Sequence, residues 1–189
     1  MAGSIPPIPS GKRPLWSSQR DATITFFDLG ELVQAIVIHG WRELHLAHLV
    51  LDVNGTLTLD GELLPGVRNR ISALSPTLTI HLLSADTFGR LADVARSLGV
   101  ESYRLDGQSS EVEQKAKFVR ELGAQGVAAI GNGANDVAML STAALGIAVV
   151  GPEGSASAAV QAAHVVVMSN EIGLDLLLHP RRSVATLRR

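Results

Sequence analysis

The stretch Leu49-Val50-Leu51-Asp52-Val53-Asn54-Gly55-Thr56 joins a short apolar run to an acidic residue and a glycine turn. An apolar run of that length without polar alternation suits a strand covered on both faces, and the residues after it belong to the loop at its carboxyl end. Working outward from it, the same pattern recurs. Strands are expected at 49–53, 78–84, 102–105, 127–131, 145–149 and 164–168, with amphipathic helices at 66–74, 88–98, 110–122, 136–143, 154–162 and 172–178. Such alternation builds right-handed βαβ units, so the expected fold class is α/β, a doubly wound, Rossmann-like parallel sheet. Gly99 and Gly123 stand just past two of the helices, where a left-handed cap is needed.

The chain before residue 49 reads differently. β-rich runs at Thr23 to Phe27, Ala35 to His39 and Glu43 to Leu46 are separated by Gly30 and by Gly40-Trp41, which predicts a small N-terminal β-hairpin beside the main sheet. Residues 1–21, with Pro6, Pro7, Pro9, Gly11 and Pro14, have neither hydrophobic period nor a secretory pattern and read as a flexible arm. Residues 22–180 read as a single domain, and 181–189 as a basic, frayed C-terminal tail.

Bulk properties narrow the function classes. The 189 residues carry a formal charge of -2, which offers nucleic acid or an anionic membrane surface no general attraction. No apolar stretch approaches the roughly 20 residues needed to span a bilayer. With no cysteine there is no disulfide, thiolate zinc site or thiol nucleophile, and a reducing, cytoplasmic setting is expected. The six histidines form no chelating set; His45 and His48 are expected on opposite faces of one strand.

In open parallel sheets, ligands bind beyond the carboxyl ends of the strands. The residues there are Asp52 to Thr56 after the first strand, Ser84-Ala85-Asp86 after the second, and Gly131-Asn132-Gly133-Ala134-Asn135-Asp136 after the fourth; one helix opens with Gln114-Lys115-Ala116-Lys117. Together they hold a carboxylate nucleophile, hydroxyls, a cation and oxygen ligands for a hard metal, the parts that phosphoryl transfer needs. Each has a plainer reading as well: an Asx turn for Asp52, a turn threonine for Thr56, a cap for Ser84, a solvated helix face for either lysine, and a helix N-terminus for Asp136. A dinucleotide site fails because Asp136 stands where GxGxxG requires its third glycine, and no Walker A sequence is present.

These four stretches, in this order and spacing, resemble the motifs of the haloacid dehalogenase superfamily over nearly all of the chain from Leu49 onward. Gly131 to Leu140, Gly-Asn-Gly-Ala-Asn-Asp-Val-Ala-Met-Leu, is similar to the Gly-Asp-Gly-x-Asn-Asp motif in the phosphorylation domain of P-type ATPases. The resemblance implies that Asp52 forms an aspartyl phosphate. Thr56 would orient the loop, Ser84 would hold a phosphoryl oxygen with the amide of Ala85, and Lys115 would neutralise charge, with Lys117 as the competitor. Mg2+ would be bound by Asp52, the Asn54 carbonyl, and Asn132 or Asp136 directly or through water, while Asn135 holds the loop. The expected substrate is a nucleotide such as ATP or another small phosphorylated molecule.

Two positions depart from the superfamily pattern. Asn54 replaces the usual acid/base Asp, and losing such a group typically costs about 10² to 10⁴-fold in rate. Asn132 replaces the usual magnesium-binding Asp. Slow turnover, or a phosphate-binding regulatory module without turnover, would follow from both. About 31 residues separate Asp52 from Ser84 and a similar number separate Ser84 from Lys115, which leaves no room for a cap domain. Only Asp60-Gly61 forms a short hairpin flap. Capless sugar-acid phosphatases of this superfamily are tetramers, so the resemblance also admits that activity and a homo-oligomer.

Overall fold

The computed structural model describes residues 33–189. The expected arm at 1–21 and the run Thr23 to Phe27 lie outside them. The chain opens with an antiparallel hairpin, β1 (Gln34–Ile38) and β2 (Arg42–Leu46), then enters β3 (His48–Asp52). A second small hairpin follows, β4 (Thr58–Leu59) with β5 (Glu62–Leu63). The remaining elements are α1 (Val67–Leu74), β6 (Thr79–Ser84), α2 (Leu91–Leu98), β7 (Glu101–Arg104), α3 (Glu111–Glu121), β8 (Val127–Gly131), α4 (Val137–Thr142), β9 (Leu145–Val149), α5 (Ser157–Ala162), β10 (Val165–Val167), α6 (Asn170–Leu178) and α7 (Pro180–Leu187).

Six strands form one parallel sheet in the order β10-β9-β8-β3-β6-β7. The chain starts at β3, moves outward through β6 and β7, then returns to β8 and runs the other way. The order therefore reverses between β3 and β8, where the first crossovers of the two halves part and leave a crevice at the strands' carboxyl ends. Leu51 pairs with Ile130, so Asp52 and Gly131 reach that crevice side by side.

Both faces of the sheet are covered, as the unbroken apolar runs require. Leu49, Leu51, Ala128 and Ile130 pack with α1, α2, α6 and the β1–β2 hairpin. Val50, Val127 and Ala129 pack with α3, α4 and α5. Gly146 on β9 must stay glycine, because a Cβ there would collide with the backbone carbonyl of Leu140. Among the described residues no helix is long and apolar enough to cross a membrane.

Two expectations are corrected. Residues 181–189 are not a frayed tail: Pro180–Leu187 is a helix, begun by proline at its first turn, with Pro180 and Ser183 buried and Val184 and Leu187 packed on the core. Ser183 Oγ donates to the Leu176 carbonyl at 2.9 Å, and the Arg189 N–H donates to His39 O at 3.2 Å. His45 and His48 do not share a strand, because the chain breaks at Ala47 between β2 and β3.

His48 Nδ1 instead meets His81 Nε2 at 3.2 Å, beneath the rings of Tyr103 and Phe118. Burial, reinforced by any charge on His48, lowers the His81 imidazole below its usual value, with Glu101 opposing weakly. A group whose folded pKa is depressed adds stability that is present above the unfolded value of about 6.5 and is lost as pH falls through the folded one. The urea midpoint of the wild type should therefore drop between pH 7 and pH 5 more steeply than that of His81→Gln. Equal slopes in the two proteins would contradict this reading.

Candidate active site

Side chains alternate along a strand, so Asp52 points to the same face as Val50, the face covered by α3 and α4. Lys115 reaches that point from α3. Its side chain is wholly buried, and Nζ donates to Asp52 Oδ1 at 2.6 Å and to Asp136 Oδ1 at 2.6 Å. The structure thus separates the two candidate lysines: Lys117 is exposed, 3.7 Å from Glu121 on the outer face of the same helix. Residues two apart on a helix face different directions, so one of them had to be a surface residue.

Asp136 is fully buried as well. Its Oδ2 accepts the backbone N–H groups of Asn132, at 3.0 Å, and Gly133, at 2.9 Å. Gly131 allows this approach, since a Cβ there would lie 2.5 Å from the Asp136 carboxylate. Both Asp136 oxygens are thus engaged, which fixes the loop and holds Lys115. Asn135 Nδ2 donates to Glu111 Oε2 at 2.7 Å, joining the loop after β8 to the start of α3.

Two carboxylates share one ammonium in a dry setting, so one negative charge is left over. Asp52 carries the consequence: burial pushes its pKa up to about 7, the Asp136 charge adds to the rise, and Lys115 and Thr56 oppose it. Burial works to lower Lys115, but the two carboxylates outweigh it and hold the ammonium above its ordinary value.

The loop after β3 is tightly wound. The N–H groups of Thr56, Leu57 and Thr58 all donate to Val53 O, and Gly55 adopts φ 74°. Thr56 is buried, and its Oγ donates to Asn132 Oδ1 at 3.2 Å. Asn54 is half-buried. The flap follows as expected, with Asp60 and Gly61 both at positive φ, the conformation a tight two-residue hairpin turn favours.

Ser84, at the end of β6, is buried, and its Oγ accepts the Asp86 N–H at 3.0 Å; Ala85 is half-buried beside it. Ser84 lines a small pocket with Asn54, Thr58 and Asp86. Among the described residues no hydrogen bond joins it to Asp52, Lys115 or Asp136, so it borders the cluster from the side of the flap. A larger cavity of about 380 Å3 opens on the other side of the loop, lined by Gly55, Thr56, Leu64, Pro65, Gly151 and Ser169 among others.

One charged residue near the site carries no motif. Glu153 lies in the loop after β9, and its Oε2 sits 2.6 Å from the point a Gly55 Cβ would occupy, with Asn132 Nδ2 2.5 Å from that same point. The only hint in the sequence is an acid between glycines, Gly151-Pro152-Glu153-Gly154, following a strand beside the switch point.

A doubly wound α/β fold with a buried acid–lysine–acid cluster at its switch point defines a broad class, and comparison with known proteins narrows it. A family model for haloacid dehalogenase-like hydrolases matches residues 112–174. A probable copper-transporting ATPase of Arabidopsis thaliana is 32% identical over 124 residues, 64% of this chain, and the chain spans 12% of that protein's length. An uncharacterised protein of Methanocaldococcus jannaschii is 41% identical over 83 residues, 42% of this chain and 89% of that protein. Among solved structures, the 3-deoxy-D-manno-octulosonate 8-phosphate phosphatase of Moraxella catarrhalis, in complex with magnesium, phosphate and the sugar acid, superposes with a TM-score of 0.58 at 16% identity, over 74% of this chain and 90% of that one. The chain belongs to the haloacid dehalogenase-like hydrolases.

Proposed function

We propose that this chain is a magnesium-dependent phosphohydrolase in which Asp52 takes up the phosphoryl group of a nucleotide or small phosphate ester and releases it slowly. The observation that carries the reading is Lys115, wholly buried and donating to both Asp52 and Asp136 at the switch point. A charged group is seldom buried without a charged partner, and such clusters in a cleft mark functional sites.

In this reading an Asp52 oxygen attacks phosphorus, forming an acyl phosphate as the bond from phosphorus to the leaving oxygen breaks. Water then attacks the phosphorus, returning Asp52 as a carboxylate and freeing phosphate. Lys115 offsets the charge that gathers on Asp52 and the transferred group, an electrostatic role that suits a reaction with little covalent chemistry for the protein to perform. Ser84 has a hydroxyl proton to offer a phosphoryl oxygen, because its bond to Asp86 uses the oxygen as acceptor. The 380 Å3 cavity beside Gly55 and Thr56 is of a size for a small leaving group, and it has no lysine or arginine in its lining.

The donor set fits magnesium. Asp52, the Asn54 carbonyl, and Asn132 or Asp136, directly or through water, would offer it oxygen atoms of the hard kind. Magnesium keeps several of its waters and needs few protein ligands. When bound, it would supply positive charge to the phosphoryl oxygens and bring the Asp52 pKa down from about 7.

Asn54 cannot give a proton to the leaving group or take one from water. Asn54→Asp should therefore raise the rate of phosphate release from p-nitrophenyl phosphate or ATP by about 10² or more, with Mg2+ present. A competing reading, a phosphate-binding module without turnover, is favoured by the two amides Asn54 and Asn132. The same assay separates the two: a wild type indistinguishable from Asp52→Asn, with no gain on Asn54→Asp, would overturn the enzyme reading.

A further inference from the structure

Glu153 occupies a place that none of the superfamily-like motifs explains. The loop carrying it is pinned to Asn132 by three hydrogen bonds: the Ala156 N–H, at 2.9 Å, and Ser155 Oγ, at 3.0 Å, both donate to Asn132 O, and Asn132 Nδ2 donates to Gly154 O at 3.3 Å. Gly151 and Gly154 close the loop on itself, and Gly151 packs directly over the Gly55 carbonyl. With the loop so placed, the Glu153 carboxylate lies beside Gly55, on the same side as the Asn132 amide, and only a glycine at 55 leaves space for both. Glu153 is exposed and has no ion pair or hydrogen bond among the described residues.

The charges near the site explain why this matters. Asp136 has both oxygens engaged, Lys115 is shared between two carboxylates, and residue 132 is an uncharged amide, so the cluster brings only the Asp52 carboxylate, already paired with Lys115, to a cation. An Asp at 132 would turn a second oxygen toward Gly154 O and Glu153, where the amide nitrogen now sits. Asn132 and Glu153 are in this sense a matched pair. Like charges converging there would repel, whereas an amide donor beside a carboxylate is compatible.

We infer that Glu153 supplies to the bound divalent cation, directly or through one of its waters, the acidic charge that Asn132 lacks. The inference rests on the metal-dependent reading of the site, and it assigns the loop after β9 a part in cation affinity.

The test is cation binding by the full chain, with no substrate present. Mg2+ is titrated calorimetrically, and Mn2+ is followed by electron paramagnetic resonance, in wild type, Glu153→Gln, Asn132→Asp and the double variant. Glu153→Gln should weaken both ions by about tenfold or more, the scale of losing a ligand or its close support. Adding Asn132→Asp to Glu153→Gln should recover most of that loss, since the carboxylate returns to the other side of the same gap. Wild-type and Glu153→Gln affinities within twofold of each other would overturn the inference and leave Glu153 a solvated loop residue. A wild type that binds neither ion at millimolar concentration would overturn the metal reading itself, and the role of Glu153 with it.

Discussion

Asp52→Asn is expected to lower phosphate release by about 10⁴-fold or more while leaving the protein folded. Removing a covalent nucleophile leaves only binding and electrostatic effects, and losses of this order are typical. The substitution keeps shape and volume. It also takes one carboxylate out of a buried cluster that holds two acids and one base, and burial together with Asp136 already pushes Asp52 up to about 7. The urea midpoint should therefore hold or rise slightly at pH 8. A large loss of stability would mean that Asp52 is mainly a structural partner of Lys115, and retained activity would mean that another group attacks phosphorus.

Lys115→Met should have the largest combined effect on stability and activity. Methionine can fill most of the volume, but Asp52 and Asp136 would then face each other with no cation between them. Breaking a buried ion cluster by removing one partner typically costs about 3–5 kcal/mol. The pair would respond by holding a proton, so stability should fall as pH rises. Activity should drop by about 10² to 10³-fold, the scale of a lost electrostatic contact in a dry site. Lys117→Met is the control: its exposed pairing with Glu121 predicts a change within about 0.5 kcal/mol. Adding Asp136→Asn to Lys115→Met should recover part of the stability. Urea unfolding of the four proteins at two pH values checks all of this, and equal midpoints for Lys115→Met and Lys117→Met would contradict it.

The central sheet was legible because buried parallel strands are short apolar runs, and β3, β8 and β9 stand out as such between glycine-rich turns. Helix starts were less so. The expected helix at 88 begins at Leu91, because Asp86 takes a left-handed backbone and its side chain accepts the Leu91 N–H. The one expected at 154 begins at Ser157, because Gly151 to Gly154 form a turn of their own. Ser169 starts α6 two residues earlier than expected, by accepting the Ile172 N–H at 3.3 Å. The C-terminal helix was hidden by its arginines, although Pro180, Ser183, Val184 and Leu187 follow the spacing of one helical face.

The candidate site shows a similar division. Asp52, Asn132 and Asp136 could be placed from strand ends alone, since the crevice of a doubly wound sheet lies there. The choice between Lys115 and Lys117 needed the rotation of α3 against the sheet. The engagement of both Asp136 oxygens depends on how the Gly131 to Asp136 loop folds back on itself, a property of backbone geometry that residue types do not carry. Glu153 became visible only when the loop after β9 was seen to pack on Gly55.

The central claim is that Asp52 itself carries the phosphoryl group. It is tested most directly by incubating the full chain with Mg2+ and 32P-labelled ATP or acetyl phosphate, quenching in acid and counting the retained label, while a parallel sample is reduced with borohydride, which expels the phosphate, and the aspartate converted to homoserine is mapped by mass spectrometry. The account predicts a label that hydroxylamine removes and that maps to Asp52, accumulating further in the wild type than in Asn54→Asp. Label on another residue, or label retained in Asp52→Asn, would contradict it.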